Sequence, residues 1–133
     1  MSTHPGPRAR LAGGLLLWYA VLGGAIAWAV HLIAGWSVDE LTCANGSERV
    51  GVLPLRAAIG LAVVLPALAT LGALLAAALL WRRTARTPRG DEPERRVGRS
   101  RMLAVVGIWL NMLFLTIIVL GGVALLVLPP CQV

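Results

Sequence analysis

Residues 102–128 read MLAVVGIWLNMLFLTIIVLGGVALLVL, and no charged residue interrupts them. About 20 apolar residues in a helix are enough to cross the hydrocarbon core of a bilayer. Two further apolar runs, residues 11–36 and 52–81, come earlier in the chain, and polar connectors separate the three. The sequence therefore predicts three transmembrane helices.

The composition is that of a membrane protein. Hydrophobic residues make up 58% of the chain and the mean hydropathy is +0.80, whereas soluble domains have about 45–50% apolar residues. In lipid every backbone polar group must bond internally, so spanning segments are helices or closed barrels. Because the runs are much longer than the roughly 9–11 residues of a barrel strand, we expect an all-α membrane protein.

The arginines predict the orientation in the membrane. All twelve basic residues are arginine; two precede the first run and eight lie in residues 82–101. Basic connectors of a membrane protein tend to stay in the cytoplasm. We therefore expect the N-terminus and residues 82–101 to be cytoplasmic and the C-terminus to be extracytoplasmic. The absence of lysine, together with abundant alanine and glycine, suggests a high-GC bacterial genome, so the expected membrane is a bacterial plasma membrane. This distribution also accounts for the net charge of +6 without a nucleic-acid partner.

The predicted topology divides the chain into seven segments. They are a cytoplasmic tail (1–10), a first transmembrane helix (11–36), an outer loop (37–51), a second helix (52–81), an Arg-rich cytoplasmic loop (82–101), a third helix (102–128) and an outer tail (129–133). Ala25-Ile26-Ala27 resembles a signal-peptide cleavage site, but the apolar run continues as far as Trp36. An ordinary signal peptide has an apolar region of about 7–15 residues, so we expect this helix to be retained.

His31 is the one ionisable residue well inside a predicted span. Residues three and four positions apart share a helix face, and small residues on such a face allow a second helix to come close. We expect two small-residue packing surfaces. The one on the first span includes His31 and consists of Ala20, Gly24, Ala27 and Ala34. The one on the second span consists of Ala69 and Ala73.

Pro66 leaves a backbone carbonyl free to act as a hydrogen-bond partner for His31. Proline has no backbone N–H, so it leaves the carbonyl of Ala62 without its helical donor, at about the depth of His31. We predict that this carbonyl, or a water in its place, orients the imidazole. The functional alternatives for an intramembrane histidine are haem ligation, quinone contact or a proton relay. Trp28, one turn away, either shapes a small pocket beside His31 or packs.

Asn111 is the other polar side chain that is costly to place in a span. Its depth in the third helix matches that of Thr70 in the second. We predict a hydrogen bond between Asn111 and Thr70, which would contribute about 0.6–1 kcal/mol to helix association.

Cys43 and Cys131 are the only cysteines. The predicted topology places both in the oxidising outer compartment, where disulfides persist. We expect a disulfide between them. The alternative is copper binding by the two thiolates with a nearby histidine.

The sequence contains no motif of a hydrolase, kinase, P-loop protein or dinucleotide-binding protein. We therefore expect no enzymatic activity, no catalytic residue, no metal site and no cofactor. The expected partners are the lipid bilayer and other membrane proteins, and a homo-oligomer is left open.

The stretch GGAIAWAVHL at residues 23–32, followed by Cys43 and by Pro129-Pro130-Cys131, resembles a pattern in small bacterial membrane proteins. Those proteins have Gly-Pro-x-x-Trp-x-x-His-Leu before an outer cysteine and are similar to accessory components of haem–copper terminal oxidases. This chain has Gly24 where the pattern has proline. The resemblance implies a respiratory membrane module in which Trp28, His31 and the two cysteines contact larger subunits.

Three functions follow as hypotheses. The first is a non-catalytic accessory or assembly subunit of a bacterial respiratory complex, in particular a terminal oxidase. The second is an extracytoplasmic-side redox or copper-handling protein that uses Cys43 and Cys131. The third is a small structural or regulatory protein whose Arg-rich loop contacts a cytoplasmic partner.

Overall fold

A computed structural model describes residues 6–46, 49–86 and 94–128. These residues form three long helices and one short hairpin: α1 (Pro7–Asn45), β1 (Arg49–Val50), β2 (Leu53–Pro54), α2 (Leu55–Ala85) and α3 (Glu94–Val127). All three helices are long and apolar enough to cross a membrane, which confirms the predicted all-α fold with three helices that could span a bilayer.

The helices extend beyond the predicted spans. Residues 37–45, predicted as an outer loop, continue α1. The side chains of Ser37, Thr42 and Asn45 donate hydrogen bonds to carbonyls four residues earlier, at 2.7–3.0 Å. Polar residues of this kind can therefore stay helical. The helix ends at Gly46, whose φ of 58° is left-handed and whose N–H bonds the carbonyl of Thr42.

The other predicted connectors are also shorter than expected. α1 begins at Pro7, inside the predicted tail 1–10. α2 runs to Ala85 and α3 begins at Glu94, so both helices extend into the predicted loop 82–101. The second helix was predicted to begin at residue 52, but Pro54 pairs with Arg49 in the hairpin and α2 begins at Leu55.

The three helices pack in one bundle, and each contacts the other two. α1 and α3 run in the same direction, because Gly24 meets Asn111 and His31 meets Gly121. α2 runs in the opposite direction, since His31 lies beside Ala62 and Gly23 lies beside Ala73.

Small residues fill the centre of the bundle and large ones face outward. Ala20, Ala76 and Ala77 form a buried cluster, with Leu80 and Ile108 packed against it. Trp18, Trp36 and Trp109 are 65–70% exposed. This arrangement is typical of membrane helices, which associate by close packing because lipid removes the hydrophobic drive between them.

Candidate functional site

Asn111 links α3 to the backbone of α1. Its side chain is fully buried. Nδ2 donates a 2.7 Å hydrogen bond to the carbonyl of Ala20, and Oδ1 accepts a 2.9 Å bond from the N–H of Gly24. Ala20 and Gly24 are four residues apart, the spacing of partners in a regular helix. The carboxamide of Asn111 therefore contacts both members of one helical pair. A further bond from Nδ2 to the carbonyl of Gly107 fixes the side chain on its own helix.

Two glycines make this approach sterically feasible. A Cβ atom at Gly24 would overlap Oδ1 of Asn111 and lie 3.3 Å from its Cα atom. A Cβ atom at Gly107 would lie 2.6 Å from the carbonyl oxygen of Ala20. Real Cβ atoms do not come this close to a backbone oxygen, so α1 and α3 can touch here only because both residues lack a side chain.

The predicted bond between Asn111 and Thr70 does not form. Thr70 is fully buried, but its hydroxyl donates to the carbonyl of Pro66 in its own helix, at 2.9 Å. Asn111 is saturated by backbone groups of α1 and α3. The prediction was wrong because it matched only the heights of the two residues along their helices. It did not include the direction in which each side chain points around its helix axis.

His31 lies between α1 and α2 as predicted. It is 4% exposed, and its Nδ1 atom lies 2.9 Å from the carbonyl oxygen of Ala62. A carbonyl can only accept a hydrogen bond, so Nδ1 carries the proton in this contact and the lone pair of a neutral ring lies on Nε2. Pro66 has no backbone N–H to donate to the carbonyl of Ala62, and Nδ1 of His31 takes the place of that missing donor.

The second nitrogen of His31 faces α3. A Cβ atom at Gly121 would lie 3.0 Å from Nε2, so α3 covers this side of the ring. A metal bound to histidine lies about 2.0–2.1 Å from the nitrogen, as zinc does. A haem iron or another ion could reach Nε2 only after α3 had moved away from α1. In this packing His31 is a contact between helices.

Trp28 packs against α3 through its ring. The ring centroids of Trp28 and Phe114 are 5.7 Å apart, with a tilt of 38° between the planes. The indole Nε1 is buried and has no hydrogen-bond partner among the described residues. The ring itself acts as packing between α1 and α3.

Tyr19 makes a contact that we did not predict from the sequence. Its hydroxyl donates a 2.7 Å hydrogen bond to the carbonyl of Ala69 in α2. Gly72 makes room for it, since a Cβ atom there would lie 2.7 Å from the hydroxyl oxygen. The sequence could have indicated this contact, because Tyr19 is the only tyrosine and lies at about the same height in α1 as Gly72 in α2.

The predicted packing residues have different environments. Ala20, Gly24, Ala27 and Ala73 are buried, as expected, and Ala34 is half-buried. The side chain of Ala69 is exposed, so the prediction that it packs was wrong. Position 69 contributes through its carbonyl group instead of its methyl group.

The two cysteines are only partly described. Cys43 is exposed near the C-terminal end of α1, whereas Cys131 lies outside the described residues, so their disulfide remains a prediction. Cys43 and His31 are separated by about 18 Å along α1 at 1.5 Å per residue. His31 therefore cannot complete a copper site at Cys43. Within the described ranges, no group of three or more His, Cys, Asp or Glu residues could hold a metal ion.

Comparisons with known proteins give no relative. No protein-family model matches the chain, and no curated protein or solved structure is detectably similar to it.

Proposed function

We propose that this chain is a non-catalytic accessory or assembly subunit of a bacterial respiratory membrane complex, in particular a terminal oxidase. One observation carries the non-catalytic part. Asn111, His31 and Tyr19, polar residues within the spans, each bind a backbone carbonyl of a neighbouring helix. Hydrogen bonds of this kind stabilise the bundle, which supports a structural role for these residues.

The outward surface supports a role in assembly. Large apolar side chains on every helix point away from the bundle, among them Ile26, Ile33, Leu65, Leu68, Leu113 and Leu120. Within a bilayer such surfaces are covered by lipid or by other membrane helices, and shape complementarity decides between the two. A rigid bundle with few polar groups on its lipid-facing sides is suited to packing beside larger subunits.

The respiratory assignment rests on the resemblance of residues 23–32 and of the Pro-Pro-Cys tail to oxidase accessory proteins. The proposed orientation rests on the arginines. It places the N-terminus and the α2–α3 connection in the cytoplasm, and the hairpin with the C-terminus outside the plasma membrane. Reporter fusions at residue 47 and at residue 90 test the orientation, because an enzyme active only in the cytoplasm should work at position 90 and fail at position 47.

The experiment for the proposed function is purification of the tagged full chain from its native membrane in mild detergent. We expect haem-containing subunits to co-purify, with a reduced-minus-oxidised absorption spectrum typical of their cytochromes. The same chain purified after expression without those subunits should show no haem absorption, because α3 covers Nε2 of His31.

Two outcomes would overturn the proposal. One is an isolated chain without partners from native membranes under conditions that keep respiratory complexes intact. The other is haem or stoichiometric copper in the chain purified alone, which would favour the redox or copper-handling alternative. Co-purification of a soluble cytoplasmic protein would favour the alternative in which residues 82–101 bind a partner.

A further inference from the structure

The ends of α2 and α3 that lie next to each other carry a concentration of positive charge. Residues 81–86 and 98–103 contain five arginines and no acidic residue: Arg82, Arg83, Arg86, Arg99 and Arg101. All five side chains are exposed. Clustered guanidinium groups repel one another and attract an anion, most strongly where the surrounding medium has a low dielectric constant.

Two of these arginines lie at the same height on facing helices. A Cβ atom at Gly107 of α3 would lie 3.4 Å from the Cβ atom of Ala77 of α2, which aligns the two helices at this level. At 1.5 Å per residue, Arg82 lies about 8 Å beyond this contact on α2 and Arg101 about 9 Å beyond it on α3.

Arg101 borders the groove between α2 and α3, and Arg82 lies at the lipid-facing edge of the same end. Arg101 lies two helical turns from Ile108 and so on the same face, and Ile108 packs against a cluster that includes Ala76 and Ala77 of α2. Trp81 lies one turn from Ala77 and is 39% exposed. Arg82 is the next residue around the helix, toward the lipid. Trp81 and Arg101 therefore lie at one end of the groove between α2 and α3, and Arg82 lies beside that end, about 140° around α2 from Ala77 and on the lipid-facing side.

We propose that this groove end, Trp81 with Arg82 and Arg101, binds the phosphate group of an anionic lipid. Guanidinium groups form paired, charge-assisted hydrogen bonds with phosphate oxygens, and tryptophan is favoured at the level of the lipid head groups. The site does not depend on the proposed accessory function.

The apolar wall above the arginines favours a lipid over a soluble anion. Val105 lies one turn above Arg101 and Met112 two turns above Val105, and both remain exposed, at 39% and 49%. An acyl chain that runs along this wall keeps its phosphate beside the guanidinium groups. Inorganic phosphate would gain nothing from the apolar surface.

The test is native mass spectrometry of the full chain in a non-ionic detergent, with phosphatidylglycerol or phosphatidylcholine added at equal concentrations. We expect phosphatidylglycerol to bind at least tenfold more tightly, and the double variant R82Q/R101Q to lose most of this preference, since each arginine near an anionic lipid strengthens binding roughly fivefold. The matched control R8Q/R99Q also removes two positive charges and should keep the preference.

Three outcomes would overturn the proposal. Equal binding of the two lipids would exclude a site for anionic lipid. If R82Q/R101Q and R8Q/R99Q lost the preference for phosphatidylglycerol equally, the anionic lipid would be attracted by the overall positive charge and not by a local site. Inorganic phosphate that displaces the lipid at an equal concentration would show a site for soluble anions. Circular dichroism of each variant shows whether the helices are intact. Brominated phosphatidylglycerol tests the same site optically in a background that keeps Trp81 as its only tryptophan, where quenching should be stronger with Arg82 and Arg101 present than in R82Q/R101Q.

Discussion

Oδ1 of Asn111 accepts a hydrogen bond from the backbone N–H of Gly24, 2.9 Å away and on another helix. In a regular helix this N–H would bond the carbonyl of Ala20, which receives Nδ2 of the same asparagine at 2.7 Å. One side chain of α3 thus recognises a backbone pair of α1. Because only a residue without a Cβ atom leaves room for Oδ1, the register of α1 against α3 depends on Gly24.

Gly107→Ala should destabilise the bundle, whereas Gly60→Ala should not. A methyl group at position 107 would meet the carbonyl of Ala20 at 2.6 Å, and position 60 has nothing within 4 Å. We expect a loss of about 1–3 kcal/mol for Gly107→Ala from overpacking, and no loss or a gain of up to about 1 kcal/mol for Gly60→Ala. Unfolding in detergent by titration with SDS measures both, and equal effects would contradict the packing described here.

The contribution of His31 should depend on Pro66. His31→Ala removes the donor to the carbonyl of Ala62 and should lower the free energy of unfolding by about 1 kcal/mol or more. In a Pro66→Ala background the restored N–H of residue 66 can bond that carbonyl within α2, so His31→Ala should have a smaller effect there. An equal effect in the two backgrounds would show that the carbonyl does not depend on His31.

Tyr19→Phe should weaken the packing of α1 against α2. The change removes the 2.7 Å hydrogen bond to the carbonyl of Ala69 and keeps the ring. We expect a loss of roughly 0.6 kcal/mol, the average for such bonds between membrane helices. Thr116→Val is the control, because the exposed Thr116 bonds only a carbonyl of its own helix. A Tyr19→Phe protein as stable as the control would argue against this contact.

Cys43 and Cys131 should form a disulfide in protein isolated from oxidising conditions. We expect a maleimide reagent to label neither thiol until a reductant is added, as read from the mass of the intact chain. Replacement of both cysteines by serine should then lower stability by about 2–4 kcal/mol if the disulfide is unstrained. Labelling of both thiols without reductant would contradict the pairing.

The sequence was sufficient to predict the three long apolar helices and the partner of His31. Length and apolar composition define the three helices, and the missing N–H of Pro66 identifies a carbonyl in need of a donor. Both inferences depend on properties of single segments. The helical continuation of α1 through residues 37–45 was missed because departure from the membrane does not end a helix when its polar side chains can bond their own backbone.

The partner of Asn111 could not be predicted in the same way. Thr70 matches its depth, but rotation of α3 about its axis turns Asn111 toward α1, and the sequence gives no direct measure of that rotation. The partners of Asn111 are backbone groups of α1, and a comparison of polar side chains in the sequence does not consider backbone groups. Gly24 was predicted only as a small packing residue and Gly107 was not singled out, although each marks a place where α1 and α3 come into close contact.

A double-mutant cycle on Gly24 and Asn111 tests the central contact most directly. The free energy of unfolding is measured in detergent for the wild type, Gly24→Ala, Asn111→Ala and the double variant. Because the added methyl group meets the side chain of Asn111, Gly24→Ala should cost less once that side chain is removed, and the two effects should differ from additivity by about 1 kcal/mol or more. Effects that add to within about 0.5 kcal/mol, as for independent sites, would show that Asn111 does not recognise Gly24.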